Sequence, residues 1–465
     1  MTLSEVARAT GAEVRNAREG ALERPVTGAA LDSRRLAAGE IFVPLPGARV
    51  DGHDFIPQAL AAGAVAAFCT PERAGRGTGG PLLLVPSPEA ALRSWALARR
   101  ETWAGELVGV TGSNGKTTTK ELLASILARR APTGRTQGNL NNQLGVPVTL
   151  TRLAKRERYA VVEIGMNHAG EVRALAQLAR PTAALITCVS AEHLEGLGSL
   201  EAVARAEAEI AEALPPGALL VLPGDDPLVL SAVATLDRQR VTFGLVPGSD
   251  YVAEAVENRG EAGMRFRLPG FPTLEVPLPG LHNVRNALAA VACAHRLGLS
   301  AEECAAGLAA TRVPGGRSEV VRWGGVTVLL DHYNANPGSV AAGLQTLRAW
   351  PGGGRRFAAL GDMLELGSES PLYHAELGRA VVPLDGAFLW GERMIHAEEA
   401  ARAAGAGERV RRFAERRELG LALASVLRPG DAVLVKGSRG SAMEDVAEIL
   451  RQALAGTAAT AGEGR

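Results

Sequence analysis

The sequence predicts an α/β protein of three domains, and three observations carry that prediction. Short apolar runs, among them ELVGV, YAVVEIG, TAALITCVS and GALLVLP, alternate with amphipathic helical stretches, the pattern of a mostly parallel sheet with helices on both faces. The pattern breaks near Val313-Pro314-Gly315-Gly316 and resumes with VTVLLD, RRFAALGD, GAFLWGE and DAVLVKGS. The chain has 465 residues, enough for two to four domains at about 100–200 residues each, and its 46% hydrophobic content can fill several cores.

In chain order, residues 1–97 mix short strands and helices with Gly/Pro turns. There GEIFVPLPG reads as a strand and IPQALAAGAVAAF as a helix followed by a strand. Residues 98–313 carry the first strand–loop–helix series. Its segment KELLASILARR places Leu122, Leu123, Ile126 and Leu127 on one helical face. YVAEAVEN, GMRFRLPG and FPTLEVPLPG read as an antiparallel meander on the edge of that sheet, and a helix over residues 284–297 closes the domain. Residues 314–465 form the second α/β series, with a tail from Gly456 that reads as frayed.

Composition excludes several classes. Lys+Arg and Asp+Glu are both 50, so there is no basic excess for a general nucleic-acid or membrane-surface binder, although a local cationic pocket remains open. No stretch reaches the roughly 18 apolar residues of a membrane span, and the N-terminus lacks the basic and apolar regions of a signal peptide. Cys69, Cys188, Cys293 and Cys304 are scattered without a CxxC, as in a cytosolic enzyme with reduced thiols. A cytoplasmic monomer is expected. Lysine occurs only at 116, 120, 155 and 436, which makes each one worth examining.

The segment Thr111-Gly112-Ser113-Asn114-Gly115-Lys116-Thr117-Thr118 follows a strand and opens a helix, the context of a phosphate-binding loop. Glycines let backbone N–H groups wrap phosphate oxygens, and the helix N-terminus adds the positive end of its dipole. Lys116 is placed to reach the β/γ-phosphates and Thr117 to offer its hydroxyl to Mg²⁺. The bland alternative is a Gly-rich turn without a ligand. Val110 stands where the common pattern has glycine, with four residues between it and the Gly-Lys pair.

The form TGSNGKTT resembles the ATP-dependent Mur ligase family, which also includes folylpolyglutamate synthases and joins an amino group to a carboxylate. Downstream, Glu163 ends one apolar strand and His193 lies just past another, the ends where open α/β sheets place ligands. A carboxylate and an imidazole beside such a loop suit divalent metal bridging ATP and an acidic substrate. A lone His after a strand is more often structural; the AEHLE context, similar to the family's metal motif, favours a ligand. The family carries a CO₂-modified lysine about fourteen residues after that histidine, and here Glu207 stands in its place. Two readings stay open: Glu207 replaces the carbamate, or it is a surface glutamate and the site holds one metal.

Other segments extend the resemblance from residue 32 to residue 444. Gly280-Leu281-His282-Asn283-Val284-Arg285-Asn286 is similar to a family helix start whose amides, here Asn283 and Asn286, contact adenine. Arg317 resembles the arginine that reaches the γ-phosphate from the third domain, and Asp331 the residue that bonds ribose. Asp331-His332-Tyr333-Asn334-Ala335-Asn336-Pro337, GDMLELG with His374 seven residues on, and VKGSRG resemble one branch of the family in particular. His332 is given no role. Asn139, Asn141 and Asn142 lie in a segment like the family's substrate-facing loop. Asp32-Ser33-Arg34 and residues 47–54 resemble the part that grips a UDP group.

The resemblance implies a small N-terminal α/β domain (1–97) for the UDP-substrate and a central P-loop domain (98–313) for ATP. The third, Rossmann-like α/β domain (314–465) would close on ATP and bind an incoming dipeptide. It implies a reaction of UDP-N-acetylmuramoyl-tripeptide with D-alanyl-D-alanine, using ATP and Mg²⁺ and passing through an acyl phosphate. Lys116, His193 and Arg317 would be catalytic. ATP would be held by residues 111–118 with Asn283, Asn286, Arg317 and Asp331. The substrates would be held by Ser33, Arg34, Asn139, Asn141, Asn142, Asn334, Asn336, Lys436 and Arg439, and the metal by Thr117, Glu163, His193 and Glu207. A sibling ligase with another acceptor, a nucleotide-hydrolysing switch protein and a weakened paralogue are the alternatives.

Overall fold

The computed structural model describes residues 1–47, 50–75 and 79–460. Ala48 and Arg49, inside the segment read as part of a UDP grip, lie outside the described residues, as do residues 461–465 of the tail. The helix Glu444–Thr460 continues past Gly456, where fraying was expected.

The first unit is a five-stranded sheet in the order Glu13–Arg15, Leu82–Leu84, Ala66–Cys69, Glu40–Phe42, Gly28–Ala30, of which only the first pairing is antiparallel. Strand alternation separates two cores. Phe68, Ile41 and Leu83 pack with Leu3, Val6, Leu92 and Trp95, while Ala67, Cys69 and Leu82 pack with Ile56 and Ala59. The helix Pro88–Thr102 runs unbroken through residue 97. Its end docks on the central unit, where Arg99 Nε donates to the Leu153 carbonyl at 2.7 Å and Arg100 Nε to that of Ala179 at 2.8 Å.

The central sheet is seven-stranded and parallel throughout, in the order Tyr251–Val252, Gln239–Gly244, Leu219–Pro223, Ala183–Ile186, Glu106–Thr111, Tyr159–Glu163, Thr133–Arg135. The interior strand Glu106–Thr111 buries Leu107 in one core and Val108 and Val110 in another. Later strands pair on both sides of it, Tyr159–Glu163 on one and Ala183–Ile186 on the other, so its carboxyl end is a switch point where a ligand crevice opens.

Two expectations change here. The meander is not an edge of this sheet: Glu254–Asn258, Met264–Arg267 and Leu274–Val276 form a separate antiparallel sheet. These strands bury Met264, Phe266, Leu274 and Val276 on one side and carry charges such as Arg265, paired with Glu275, on the other. A parallel sheet covered on both faces has no place for a one-sided ribbon. The helix expected over 284–297 spans Leu281–Arg296, and a further helix, Ala301–Ala309, closes the unit with a Ser300/Glu303 capping box.

The third unit is a six-stranded sheet ordered Glu319–Trp323, Val326–Leu330, Ala432–Lys436, Arg356–Gly361, Gly386–Trp390, Val410–Phe413, antiparallel only at its first pairing. Its apolar face and the central unit share one contiguous core, which includes Ala191 and Leu194 on one side and Ala335, Val340 and Leu366 on the other. This shared core presses the third unit against the mouth of the phosphate loop. Among the described residues no helix is long and apolar enough to cross a membrane, and all four cysteines are free thiols.

Candidate active site

The strand Glu106–Thr111 delivers the loop and the helix Lys116–Leu127 receives it. Gly112 and Gly115 have φ of 124° and 82°, in the left-handed region. A Cβ at Gly112 would lie 2.1 Å from Thr187 Oγ1, and one at Gly115 would lie 2.3 Å from Asn286 Oδ1. Both conformation and space therefore require glycine. Lys116 Nζ donates to the Gly112 carbonyl at 2.6 Å and stands 3.6 Å from Glu192 Oε1. Burial works against its charge, but the carboxylates of Glu192, Glu207 and Glu163 outweigh burial and raise its pKa.

Glu163, 2% exposed, is the hub beside the loop. Its Oε1 accepts from Thr117 Oγ1 at 3.1 Å and from Asn141 Nδ2 at 2.9 Å. Its Oε2 lies 3.4 Å from Nζ of Lys120, a fully buried lysine that also donates to the Gly138 carbonyl at 2.9 Å. Lys120 thus ties the loop carrying Asn139 and Asn141 to the Glu163 carboxylate. The expected residues Asn139, Asn141, Asn142, Glu163 and His193 line, with Lys116, Thr117 and Arg317, one cavity of about 550 Å³. Asn142 Oδ1 accepts from Gly145 N at 2.9 Å, just ahead of the helix Gly145–Thr151.

Magnesium fits this chemistry. Glu163 Oε2 and Glu192 Oε1 are buried without a hydrogen bond, each facing a lysine ammonium, Lys120 at 3.4 Å and Lys116 at 3.6 Å, and Glu163 lies beside the Thr117 hydroxyl. Among the described residues no group of three or more His, Cys, Asp or Glu could hold a metal alone. Magnesium keeps several waters and takes phosphate oxygens together with one or two carboxylates.

Glu207 is buried, contrary to the reading that places it on the helix surface. At 1% exposure it is not a surface residue, and it does not line the cavity. Its Oε2 accepts from the Thr111 hydroxyl at 2.5 Å and from the Gly112 backbone N–H at 2.8 Å, so it braces the root of the loop from behind. The side chain stops there because it is several atoms shorter than a carbamylated lysine. Burial pushes its carboxyl up to about 7 against the pull of Lys116.

A second cavity, of about 280 Å³, lies on the other side of the loop and is lined by Thr118, Asn283, Asn286, Asp331 and Lys436 among others. Asn286 Nδ2 donates to Asn283 Oδ1 at 3.1 Å, and Asn283 Nδ2 to the Pro279 carbonyl at 2.8 Å, so the two amides form a preset polar wall. Arg317 faces both cavities and stacks on Tyr333, its guanidinium carbon 3.6 Å from the ring centre. Asp331 Oδ1 accepts from Ser318 N at 3.1 Å.

Several expected contacts are already committed within the fold. Lys436 Nζ donates to Asp331 Oδ2 at 2.6 Å, to the Asp331 carbonyl at 3.3 Å and to the Asn334 carbonyl at 3.0 Å, which uses all three of its protons. Asn336 caps the helix Pro337–Arg348 and exchanges two amide bonds with Asn114 of the loop, at 3.2 and 3.0 Å. Arg439 pairs with Glu444 at the surface, outside both cavities. Ser33 and Arg34 lie in the first unit, also outside them, with Arg34 clamped on Asp32. His374 is fully buried, accepting from Met363 N at 3.1 Å, so its spacing from GDMLELG reflects loop bracing.

Sequence reasoning missed Glu192, Lys120, Tyr333 and Glu365. Glu192 is buried, its pKa raised by burial, and its Oε2 accepts from Asn336 Nδ2 at 3.4 Å. The scarcity of lysine was a usable signal for Lys120, and adjacency to His193 was one for Glu192.

Comparison with known proteins shows which family the chain resembles. Family models described as "Mur ligase family, catalytic domain", "Mur ligase middle domain" and "Mur ligase, glutamate ligase domain" match residues 25–93, 110–294 and 316–439. The UDP-N-acetylmuramoyl-tripeptide–D-alanyl-D-alanine ligase of Bacillus subtilis is 35% identical over 429 residues, covering 91% of this chain and 93% of that protein. The Escherichia coli ligase of the same name is 37% identical, covering 90% and 93%. Among solved structures, MurF from Acinetobacter baumannii superposes with a TM-score of 0.84 at 33% identity, covering 97% of this chain and 98% of that one. MurF ligase from Thermotoga maritima in complex with ADP gives 0.80 at 29% identity, covering 95% and 100%. A phosphate loop that meets a third-domain arginine, in a chain similar to these ligases over nearly its whole length, places this protein in the Mur ligase family.

Proposed function

We propose that the protein is an ATP-dependent peptide ligase that joins D-alanyl-D-alanine to the terminal carboxylate of UDP-N-acetylmuramoyl-tripeptide, a step of peptidoglycan precursor synthesis. The observation that carries this reading is the convergence of Lys116, Glu163, His193 and the third-domain Arg317 on one cleft. Similarity over nearly the whole chain to ligases named for this reaction supports it.

The chemistry follows from the cleft. A bare carboxylate is a poor electrophile, so the substrate's carboxylate oxygen attacks the γ-phosphorus of ATP, the bond to the β-bridging oxygen breaks, and ADP leaves. Lys116 and Arg317 supply positive charge where the transferring group is most negative. Magnesium, held by Thr117 and Glu163 near His193, would neutralise phosphate charge. The amine of the dipeptide then attacks the acyl carbon, loses a proton, and expels inorganic phosphate. Pressure of the third unit on the loop mouth excludes water that would hydrolyse the acyl phosphate. In this reading the UDP end rests on residues 1–97 and the peptide passes Asn139 and Asn142 in the cleft wall. The dipeptide enters between residues 98–313 and 314–465, and the enzyme works as a cytoplasmic monomer on small molecules.

The test is phosphate release with UDP-N-acetylmuramoyl-tripeptide and ATP, scanned across amine acceptors. Release that depends on D-alanyl-D-alanine, with transfer of a labelled carboxyl oxygen into phosphate, is expected. Equal release with no acceptor would mark a hydrolase, and preference for a single amino acid would mark a sibling ligase.

A further inference from the structure

His193 and Glu365 meet across the boundary between the central and third units in an unusual way. His193 Nδ1 lies 2.6 Å from Glu365 Oε2. Both residues have left-handed backbones, with φ of 51° and 63°, a conformation that costs a residue with a side chain of order 1 kcal/mol. The two segments also touch through their backbones: the N–H of Glu195, two residues after His193, donates to the Glu365 carbonyl at 3.3 Å. The loop behind Glu365 is fixed from several sides. Met363 N donates to the buried His374 at 3.1 Å, Leu364 N to Ser438 Oγ at 2.9 Å, and Ser441 Oγ to the Asp362 carbonyl at 3.1 Å. The side chain of Glu365 is 59% exposed, so a surface ion pair alone would contribute little stability and does not explain this construction.

An imidazole that binds through one nitrogen is oriented by what its other nitrogen bonds. With Nδ1 held by Glu365, Nε2 is the nitrogen left to face the cleft that His193 shares with Lys116 and Glu163. We propose that Glu365 is a positioning residue for His193, so that the third unit, in closing, selects the ring nitrogen that His193 presents to the phosphate cleft. Closure then delivers two things at once: the Arg317 charge and a correctly turned histidine. A chain with the third unit swung away would bind nucleotide at its loop but hold His193 unaligned. The inference rests on the ligase reading above and deepens it.

The test compares Glu365→Ala and Glu365→Gln with the parent full-length enzyme by steady-state kinetics and by ¹⁵N NMR of the His193 ring at alkaline pH. Glu365→Ala is expected to lower kcat about 10–100-fold, the range for loss of a partner that orients a histidine, while KM for ATP changes less than about threefold. Its His193 spectrum should shift from one tautomer to a mixture. Glu365→Gln, which keeps a hydrogen-bond acceptor, should restore the single tautomer and most of kcat. Glu365→Ala with kcat within about threefold of the parent and an unchanged ring spectrum overturns the proposal. So does a Glu365→Gln variant as impaired as Glu365→Ala. If the parent shows no acceptor-dependent phosphate release, the ligase reading fails instead, and the NMR comparison still decides whether Glu365 sets the ring.

Discussion

The central and third units each hold a lysine near the carboxyl end of a parallel sheet, and the two lysines do opposite work. Lys436 is 2% exposed and gives all three protons to residues 331 and 334, so its charge is consumed in shaping a loop. Lys116 makes one short bond, to the Gly112 carbonyl, and stands off from Glu192 at 3.6 Å, so its charge stays directed at the cleft. Position at a sheet end therefore does not make a lysine a ligand-binding group. What decides it is how many strong acceptors the fold places around the ammonium.

Removing each lysine breaks the comparison in a different observable. Lys116→Ala should cost about 10³-fold in kcat with a melting temperature near that of the parent, because the residue stabilises charge that develops only during phosphoryl transfer. A loss under about tenfold would contradict the phosphate role. Lys436→Ala should instead destabilise the third unit by about 2 kcal/mol, since it strands the Asp331 carboxylate and frees the loop, and should lower its melting temperature by about 5 °C. If Lys436→Ala keeps full stability but loses substrate affinity, the contrast is wrong and Lys436 is a binding group after all.

The carboxylates sharpen the same contrast. Glu207 sits behind the loop with its carboxyl raised by burial to about 7 from an ordinary 4.5. Because the native state holds this proton more tightly than the unfolded chain, stability falls as pH rises through that interval and is flat above it. Glu207→Gln should remove the slope, with a gain over the parent that grows to at most about 3 kcal/mol above neutral pH. Denaturant midpoints measured across the interval check this, and parallel profiles would refute it. The smallest effect is expected at Tyr333. Tyr333→Ala should lower kcat about fivefold by releasing the stacked Arg317, and Tyr333→Phe, which keeps the ring face, should stay within about twofold. Equal losses in both variants would assign the role to the hydroxyl.

Much of the site was legible because it is local. Residues 111–118 carry their own geometry, since two glycines and a helix start suffice to build an anion cradle. The ends of the apolar strands put Glu163 and His193 beside it without any knowledge of long-range contacts. The strands that were missed, such as Thr133–Arg135 and Val410–Phe413, are short edge strands with exposed charges, where neither alternation nor an apolar run stands out. The separate antiparallel ribbon was read as strands but misplaced, because its one-sided burial appears only once a partner helix is known.

The sequence by itself determined the class, the three-part order, the phosphate loop and the residues at the strand ends, because these follow from periodicity and from backbone conformations that only certain residues adopt. Tertiary structure alone decided which polar groups remain free. Asn336 and Lys436 look like ligands in one dimension, yet their hydrogen-bond capacity is taken up by residues 114, 331 and 334, and one carboxylate oxygen of Glu207 is taken up by residues 111 and 112. Glu365 looks like a loop residue, yet it reaches His193. The physical reason is that satisfaction of a buried donor or acceptor depends on its neighbours in space, and most of those neighbours lie more than seventy residues away along the chain.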